Sequence, residues 1–405
     1  MRFFFLFALT LVGQTPVVFV HGNGDDAAKW MGILWLFESN GYPRERLFPV
    51  RFTNPSARLN DAKFEAFRSS TVDQAAELGA AVTRVLVETR AGNVALIGSS
   101  RGGNTIRNYV KNGGGAGVVS HAMLAGTPNH GVFLMDTNLG NEFNGRGAFL
   151  GQLNEGDETV AGVRFLTTLS DSFDKYAQPN GAGVGSPRLK GAENVVLPGL
   201  DHREVAFRPE AFRAFFKFLT GKEPATLTVV PEAAPRISGL VTGFAGGAAT
   251  NLAEAGVRLR VFGLDGKGAR VGAAVVDVVT GVDGRWGPVE VSNSGMYEFE
   301  VEKAGSVIRY FRSAFLRSSD VVNLRWRPGV SGGTVAARPQ GYFSKGRDLL
   351  RFEGELVEGV PAGVPTADSV VLKGVLGGIL ELRGEKIAVR PGEGAALHVA
   401  EFNWD

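Results

Sequence analysis

The alternation of strand-like and helical segments before Gly221 constrains the fold of this 405-residue chain most strongly. Short apolar runs such as Val17–Val20 and Val94–Ile97 are separated by longer segments that have a helical period. In the clearest of these, Val72–Thr89, apolar residues recur every three or four positions, as expected for one helix face. Strands separated by helices need crossover connections. The alternation therefore predicts a mostly parallel sheet flanked by helices.

The pattern changes after Glu223. From Leu227 onwards, period-two runs such as V-R-L-R-V-F and Y-E-F-E-V are separated by turns containing Asp-Gly, Gly-Gly or Pro-Gly. This pattern is typical of β-sandwich modules. We therefore expect an α/β domain over residues 14–223 and a β-rich region over residues 224–405. The β-rich region is either one module or two modules that divide near Pro328.

The first thirteen residues form a separate segment. One positive charge is followed by the run F-F-F-L-F-A-L-T-L-V-G, which is too short to span a bilayer. The pattern predicts a signal peptide over residues 1–13, cleaved near Gly13, and a secreted or periplasmic mature chain without a transmembrane span. The alternative interpretation is a first buried strand.

The composition excludes several classes of function. The formal net charge is only +2, and no block of like charge indicates a nucleic-acid partner. The chain has no cysteine, so disulfides, thiolate metal sites and a cysteine nucleophile are excluded. No calcium-type D-x-D spacing is evident, and the pair Asp25-Asp26 is expected to start or cap a helix at Ala27. No metal site is therefore indicated, and the family resemblance described below implies a reaction that needs neither a metal nor an organic cofactor.

The stretch V-A-L-I-G-S-S-R-G-G-N-T-I-R-N-Y contains the first candidate for catalytic chemistry. Gly98-Ser99-Ser100-Arg101-Gly102 fits the pattern G-x-S-x-G between a predicted strand and a predicted helix. A serine on such a tight turn is exposed, and the following helix directs its first N–H groups at the site. We predict Ser100 as the nucleophile rather than Ser99, which lacks the symmetric glycine pair. The alternative is an ordinary Gly/Ser turn.

An activated serine needs a base, and the chain has five histidines. His202 lies between the strand-like run N-V-V-L-P-G-L and the helix that begins at Pro209, which makes it the favoured base. We expect structural roles or loop positions for the other four: His21, His121, His130 and His398. The acid should follow the predicted strand Val163–Leu169, where two aspartates, Asp171 and Asp174, are candidates.

These motifs together resemble the lipase and esterase branch of the α/β-hydrolase fold. The resemblance rests on P-V-V-F-V-H-G-N-G, G-S-S-R-G-G-N, G-T-P-N-H-G, S-D-S-F-D-K-Y-A-Q-P and G-L-D-H, which span most of residues 16–220. The C-terminal region is similar to the β-rich, lipid-associated module of some two-domain bacterial and archaeal lipases. One departure is Ser99, which stands where the commoner lipase turn has histidine.

The resemblance implies a serine hydrolase with a Ser-Asp-His triad and an acyl-enzyme. It favours Asp174 over Asp171, because a turn ending in proline at Pro179 follows Asp174. The oxyanion would be held by the backbone N–H groups of Asn23 and Arg101. Arg101 would act through this N–H and not through its charge.

The expected substrate is a lipid or another carboxylic ester, with contact between the C-terminal region and a lipid surface or polymer. The segment Val132–Leu153 is interpreted either as a lid over the pocket or as a connecting loop. We expect the apolar run Trp30–Phe37 to belong to the core. Two alternatives stay open: a depolymerase acting on a polyester of the polyhydroxyalkanoate type, and a surface- or carbohydrate-binding protein with an inactive hydrolase scaffold.

Overall fold

A parallel six-stranded sheet forms the centre of the N-terminal half. The computed structural model describes residues 14–171, 174–177, 186–330, 332–343, 348–357, 367–392 and 394–403, so the predicted signal peptide lies outside the described residues. The strands pair in the order β2-β1-β3-β4-β5-β6, and all pairs are parallel. Their bounds are Val17–Val20 (β1), Leu47–Pro49 (β2), Val94–Ser99 (β3), Val119–Ala125 (β4), Arg164–Leu169 (β5) and Glu193–Val196 (β6).

Six α-helices accompany this sheet in the described part of the chain. They are Met31–Ser39 (α1), Thr71–Thr89 (α2), Arg101–Asn112 (α3), Ala148–Asn154 (α4), Glu204–Phe207 (α5) and Pro209–Thr220 (α6). A reciprocal cap starts α2: Ser70 Oγ accepts the N–H of Asp73, and the Asp73 carboxylate accepts the N–H of Ser70. Gly221, with φ of 73°, ends α6 as a left-handed cap.

Alternate residues of β1 face opposite layers of the fold. Val17 and Phe19 belong to an apolar cluster that includes α1 and α6, whereas Val18 and Val20 belong to the cluster formed with α2 and α3. Because strand side chains alternate between faces, both faces of the sheet are covered. These layers confirm the parallel sheet flanked by helices that the alternation predicted, and the α/β-hydrolase fold that the resemblance implied. None of the described helices is long and apolar enough to cross a membrane.

The C-terminal region is β-rich and contains several sheets, as predicted. Its strands before Pro328 are Arg236–Ala245 (β7), Ala248–Ala253 (β8), Arg258–Leu264 (β9), Arg270–Val279 (β10), Arg285–Glu290 (β11), Met296–Lys303 (β12), Ser306–Arg312 (β13) and Leu324–Arg325 (β14). Those after it are Val335–Arg338 (β15), Leu350–Phe352 (β16), Glu355–Leu356 (β17), Val370–Leu372 (β18), Gly378–Leu382 (β19), Glu385–Val389 (β20) and Leu397–Glu401 (β21).

One sheet joins the segments before and after Pro328. The seven-stranded sheet has the order β10-β9-β12-β13-β21-β15-β18, so β21 lies between β13 and β15. A four-stranded sheet contains β11, β7, β14 and β8, and another contains β17, β16, β19 and β20. Residues on both sides of position 328 therefore share backbone hydrogen bonds.

The two halves of the chain also share an apolar core. One cluster contains α1 and α6 residues together with strand residues from β7 to β21. Within it, Trp35 is 1% exposed, and its indole N–H donates to the Ser318 carbonyl at 3.0 Å. The predicted core run Trp30–Phe37 is therefore packed between the parallel sheet and the C-terminal region.

We expect Trp35→Ala to lower the free energy of unfolding by about 3–5 kcal/mol, because it leaves a large cavity in this shared core. Urea unfolding followed by fluorescence and circular dichroism measures the change. Val87→Ala is the matched control, since Val87 on α2 is 75% exposed and should change stability by less than about 0.5 kcal/mol. A loss of similar size in both variants would contradict the packing described here.

Candidate active site

Ser100 lies at the sharp turn between β3 and α3. Its backbone has φ of 53° and ψ of −120°, a conformation that a residue with a side chain rarely adopts. Such backbone strain costs on the order of 1–3 kcal/mol and is found mainly at functional sites. The turn directs Ser100 away from the sheet and towards the start of α3.

Gly98 and Gly102 allow the chain to pack closely around this turn. A Cβ at Gly98 would lie 2.8 Å from the backbone of Gly102, and a Cβ at Gly102 would lie 2.5 Å from the Val20 carbonyl oxygen. Both contacts are shorter than real Cβ contacts, and their partners are backbone atoms that cannot rotate away. The two glycines of the G-x-S-x-G pattern are therefore required by close backbone approach.

Three of the residues predicted from sequence form one hydrogen-bonded chain. Ser100 Oγ lies 2.9 Å from His202 Nε2, and His202 Nδ1 lies 2.9 and 3.0 Å from the two Asp174 carboxylate oxygens. Asp174 is fully buried, and His202 is 5% exposed. With Nδ1 as the donor to Asp174, Nε2 is left to accept the proton of the serine hydroxyl.

The two candidate aspartates lie in different surroundings. Asp174 faces His202 and also accepts the backbone N–H groups of Tyr176 and Ala177, both at 2.8 Å. Asp171 is exposed and accepts the backbone N–H of Gly199 at 3.1 Å. The structure thus brings Asp174, and not Asp171, to the histidine.

The residues on either side of His202 hold its loop in place. Asp201 accepts the N–H groups of Arg203 and Glu204 at 2.9 and 3.0 Å, and its second oxygen accepts the N–H of Tyr342 at 2.6 Å. Glu204 in turn accepts from Arg383 at 2.8 Å. Tyr342 and Arg383 belong to the C-terminal region, which therefore helps to fix the position of the histidine.

The two predicted oxyanion donors lie beside Ser100. Asn23 and Ser100 line the same pocket, and a Cβ at neighbouring Gly22 would lie 3.3 Å from Ser100 Cβ. The Asn23 side chain is occupied, because its Oδ1 accepts the N–H of Ala57 at 2.8 Å. Within the described part of the chain, the backbone N–H groups of Asn23 and Arg101 meet no protein acceptor. A helix leaves its first N–H groups without an internal partner, which explains the free donor at Arg101.

The side chain of Arg101 has a structural function that the sequence did not indicate. It is 1% exposed, and its Nε lies 2.6 Å from Oε1 of Glu142. The guanidinium also donates to the Ser69 carbonyl at 2.8 Å and the Pro55 carbonyl at 3.1 Å. Arg101 therefore connects the serine turn to two surface loops through its charge, besides offering its backbone N–H.

The catalytic pocket has a volume of about 330 Å³. Val132, Phe133 and Phe143 form its apolar wall, and Tyr342 and Asp368 come from the C-terminal region. The sequence does not indicate the last two, because no local pattern shows that residues so distant along the chain line the same pocket as Ser100. The pocket volume lies within the range of small-molecule sites.

The other four histidines have partners away from Ser100. Buried His21 donates from Nδ1 to the Gly22 carbonyl and accepts the N–H of Phe52, and burial lowers its pKa. His121 contacts Ser120 and Arg164. His130 lies 2.9 Å from Glu158, and burial lowers the pKa of His398 to about 4. Among the described residues, no group of three or more His, Asp or Glu side chains is arranged to hold a metal ion.

Comparison with known proteins gives two family matches. Residues 14–174 match the family described as Lipase (class 2), and residues 234–328 match the family described as Lipase C-terminal domain. No curated protein matches the chain.

Several solved structures are similar to part of the chain. Aspergillus fumigatus lipase B is 19% identical, with a TM-score of 0.42 over 53% of this chain and 55% of that chain. The mature form of Bacillus licheniformis lipase BlEst2 is 17% identical, with a TM-score of 0.40 over 51% of this chain and 92% of that chain. The monoacylglycerol lipase of Paleococcus ferrophilus is 12% identical, with a TM-score of 0.38 over 51% of this chain and 96% of that chain.

The parallel sheet with its serine turn and the two family matches lead to one assignment. The chain combines a class 2 lipase domain with a lipase C-terminal domain, and it is a carboxylic ester hydrolase of the lipase and esterase branch of the α/β-hydrolases.

Proposed function

We propose that this lipolytic hydrolase cleaves esters through a Ser100-His202-Asp174 triad and an acyl-enzyme intermediate. The observation that carries the proposal is the hydrogen-bonded chain from Ser100 Oγ through His202 to the buried Asp174. Serine, histidine and carboxylate in this arrangement act as nucleophile, general base and orienting group.

In the first half of the reaction, Ser100 Oγ attacks the ester carbonyl while its proton passes to His202 Nε2. The carbonyl oxygen becomes an oxyanion, and the N–H groups of Asn23 and Arg101 donate to it. When the tetrahedral intermediate collapses, the C–O bond breaks and the alcohol leaves with the proton held by His202. Asp174 stabilises the imidazolium without taking its proton.

In the second half, water takes the place of the alcohol. His202 removes a proton from the water, and the resulting hydroxide attacks the carbonyl carbon of the acyl-enzyme. The same two N–H groups hold the second oxyanion, and the carboxylic acid leaves as Ser100 recovers its proton from His202. The distance of 2.9 Å between Ser100 Oγ and His202 Nε2 supports the proton transfers between these two residues.

We further propose that the segment from Val132 to Gly147 acts as a fixed wall of the acyl pocket and not as a mobile lid. Asn144 accepts the N–H of Met135 and donates to the carbonyls of Met135 and Thr137. Glu142 forms the buried ion pair with Arg101. These contacts connect the segment to itself and to the serine turn, so its displacement would break several buried polar interactions.

Glu142 also makes the stability of this wall depend on pH. Burial raises its pKa to about 7, while the nearby Arg101 lowers it and Asp61 raises it. At pH values between the ordinary glutamate pKa and this raised pKa, the Glu142 carboxyl group loses its proton more readily in the unfolded chain than in the folded chain. The contribution of Glu142 to folding therefore becomes less favourable as the pH rises through this range.

We expect Glu142→Gln to gain stability relative to the wild type as the pH rises from about 4.5 to 7, by at most on the order of 3 kcal/mol. Urea unfolding at several pH values in this interval measures the difference. Glu193→Gln, which changes an exposed carboxylate on β6, is the control. Parallel pH profiles of wild type and Glu142→Gln would contradict the assignment.

Ser100→Ala should lower kcat for p-nitrophenyl acyl esters by about 10⁶-fold, because the nucleophile is removed. The same variant should no longer react with a fluorophosphonate probe. Ser99→Ala is the matched comparison and should keep the covalent labelling. Labelling retained in Ser100→Ala and lost in Ser99→Ala would assign the nucleophile to the neighbouring serine.

The two aspartates allow a second matched test of the triad. Asp174→Asn keeps the shape of the side chain but disturbs the histidine tautomer, so we expect kcat to fall by about 10³- to 10⁴-fold. Asp171→Asn should stay within about threefold of the wild type, since Asp171 accepts from Gly199 and not from His202. Steady-state hydrolysis of a short-chain ester gives both values. The opposite ranking would make Asp171 the triad acid.

A further inference from the structure

A second cavity, of about 300 Å³, adjoins the catalytic pocket on the side of the C-terminal region. It lies between the short helical turn Ala27–Trp30, which precedes α1, and the strands β13, β14, β15 and β21. Asp25, Arg203 and Asp368 line both this cavity and the pocket that contains Ser100. A molecule whose ester lies at Ser100 is therefore next to the second cavity, which we call the junction cavity.

The junction cavity has an excess of positive charge. Six cationic and four acidic side chains line it. Glu401 pairs with Arg312 and, at 3.4 Å, with Arg338. Arg325 lies 3.8 Å from Asp26. Three of the arginines thus share two carboxylates within the wall.

Lys29 and Arg203 are not paired in this way. Across the described ranges of the chain, neither has a carboxylate oxygen within the 4.0 Å of a salt bridge. The Lys29 ammonium donates to the side-chain oxygen of Gln340 at 3.2 Å, and the Arg203 guanidinium lies 4.7 Å from the centre of the Tyr342 ring. Both cations therefore line the cavity without a salt bridge. Burial lowers the pKa of Arg203, but nearby groups that include Asp25 and Asp368 raise it above its usual value.

The electrostatics of Lys29 favour an anion at this position. Burial lowers its pKa, and the neighbouring Arg203 lowers it further, while Asp25 and Glu401 act in the opposite direction without cancelling the shift. Holding a cation away from water is unfavourable unless an opposite charge compensates, and an oxyanion between an ammonium and a guanidinium would supply that charge. Asp25 and Asp368 lie at the boundary with the catalytic pocket, where their negative charges repel an anion. The favoured position for an anion is therefore the end of the cavity beside Lys29.

We propose that Lys29 and Arg203 bind the phosphate or carboxylate group of an anionic ester whose scissile bond lies at Ser100. The chain would then prefer amphiphiles with an anionic head group over neutral esters of equal acyl length. This proposal rests on the proposed function, because it takes Ser100 as the reacting end of the site. It adds a substrate class that the serine turn and its partners do not specify.

The test compares two water-soluble substrates, dihexanoyl phosphatidic acid and dihexanoylglycerol, with release of hexanoic acid followed by pH-stat titration. We expect the wild type to have a kcat/KM about tenfold higher for the anionic substrate, and Lys29→Met to lose most of this preference through a higher KM. Lys29→Arg keeps the charge and should keep the preference. Lys222→Met, which removes a solvent-exposed ammonium after α6, is the matched control.

A binding measurement makes the test independent of turnover. Inorganic phosphate should raise the Tm of the wild type and of Lys222→Met, but not that of Lys29→Met. A wild type without preference for the anionic ester, or a preference unchanged in a folded Lys29→Met, would overturn the proposal. If phosphate raises the Tm only when Lys29 is present, but the wild type does not prefer the anionic ester, the assignment of the cavity to an ester head group would also be overturned. A chain that binds phosphate but hydrolyses neither ester would instead contradict the proposed function.

Discussion

The close packing of α3 against β1 is the constraint on which the whole site depends. A Cβ at Gly102 would lie 2.5 Å from the Val20 carbonyl oxygen, so only glycine lets the helix begin where it does. That position brings the first N–H groups of α3 next to the loop that follows β1. It also forces Ser100 into its unusual backbone conformation, which the surrounding sheet must stabilise. Strand, loop and helix are therefore fixed together at one backbone contact.

The N-terminal fold and the three residues of the hydrogen-bonded chain could be predicted because their signals are local. The helical period of residues 72–89 corresponds to α2, and the apolar run at 94–97 corresponds to β3. Spacing alone did not separate Asp171 from Asp174, since both follow β5 and only the path of the loop decides which one faces His202.

The parts that could not be predicted depend on contacts between residues distant in the sequence. Tyr342 and Asp368 line the catalytic pocket, yet they lie in a region whose pattern indicates only alternating strands. Glu142 forms a buried ion pair with Arg101, and no sequence motif around Ser100 indicates this pair. Charged side chains are usually on the surface, so a sequence gives no sign of the few that are paired inside. The same reason hid the cluster of cations around Lys29.

The hydrogen bonds of Asp201 and Glu204, which hold the His202 loop in place, affect the order in which the site assembles. The Asp201 carboxylate accepts the backbone N–H of Tyr342, and the Glu204 carboxylate accepts a hydrogen bond from Arg383. Both partners lie more than a hundred residues further along the chain. A ribosome releases the serine turn and the histidine loop well before those partners. A growing chain therefore contains Ser100 and His202 before the hydrogen bonds that hold the His202 loop can form. The loop that carries His202 would therefore gain these contacts only after residue 383 has left the ribosome.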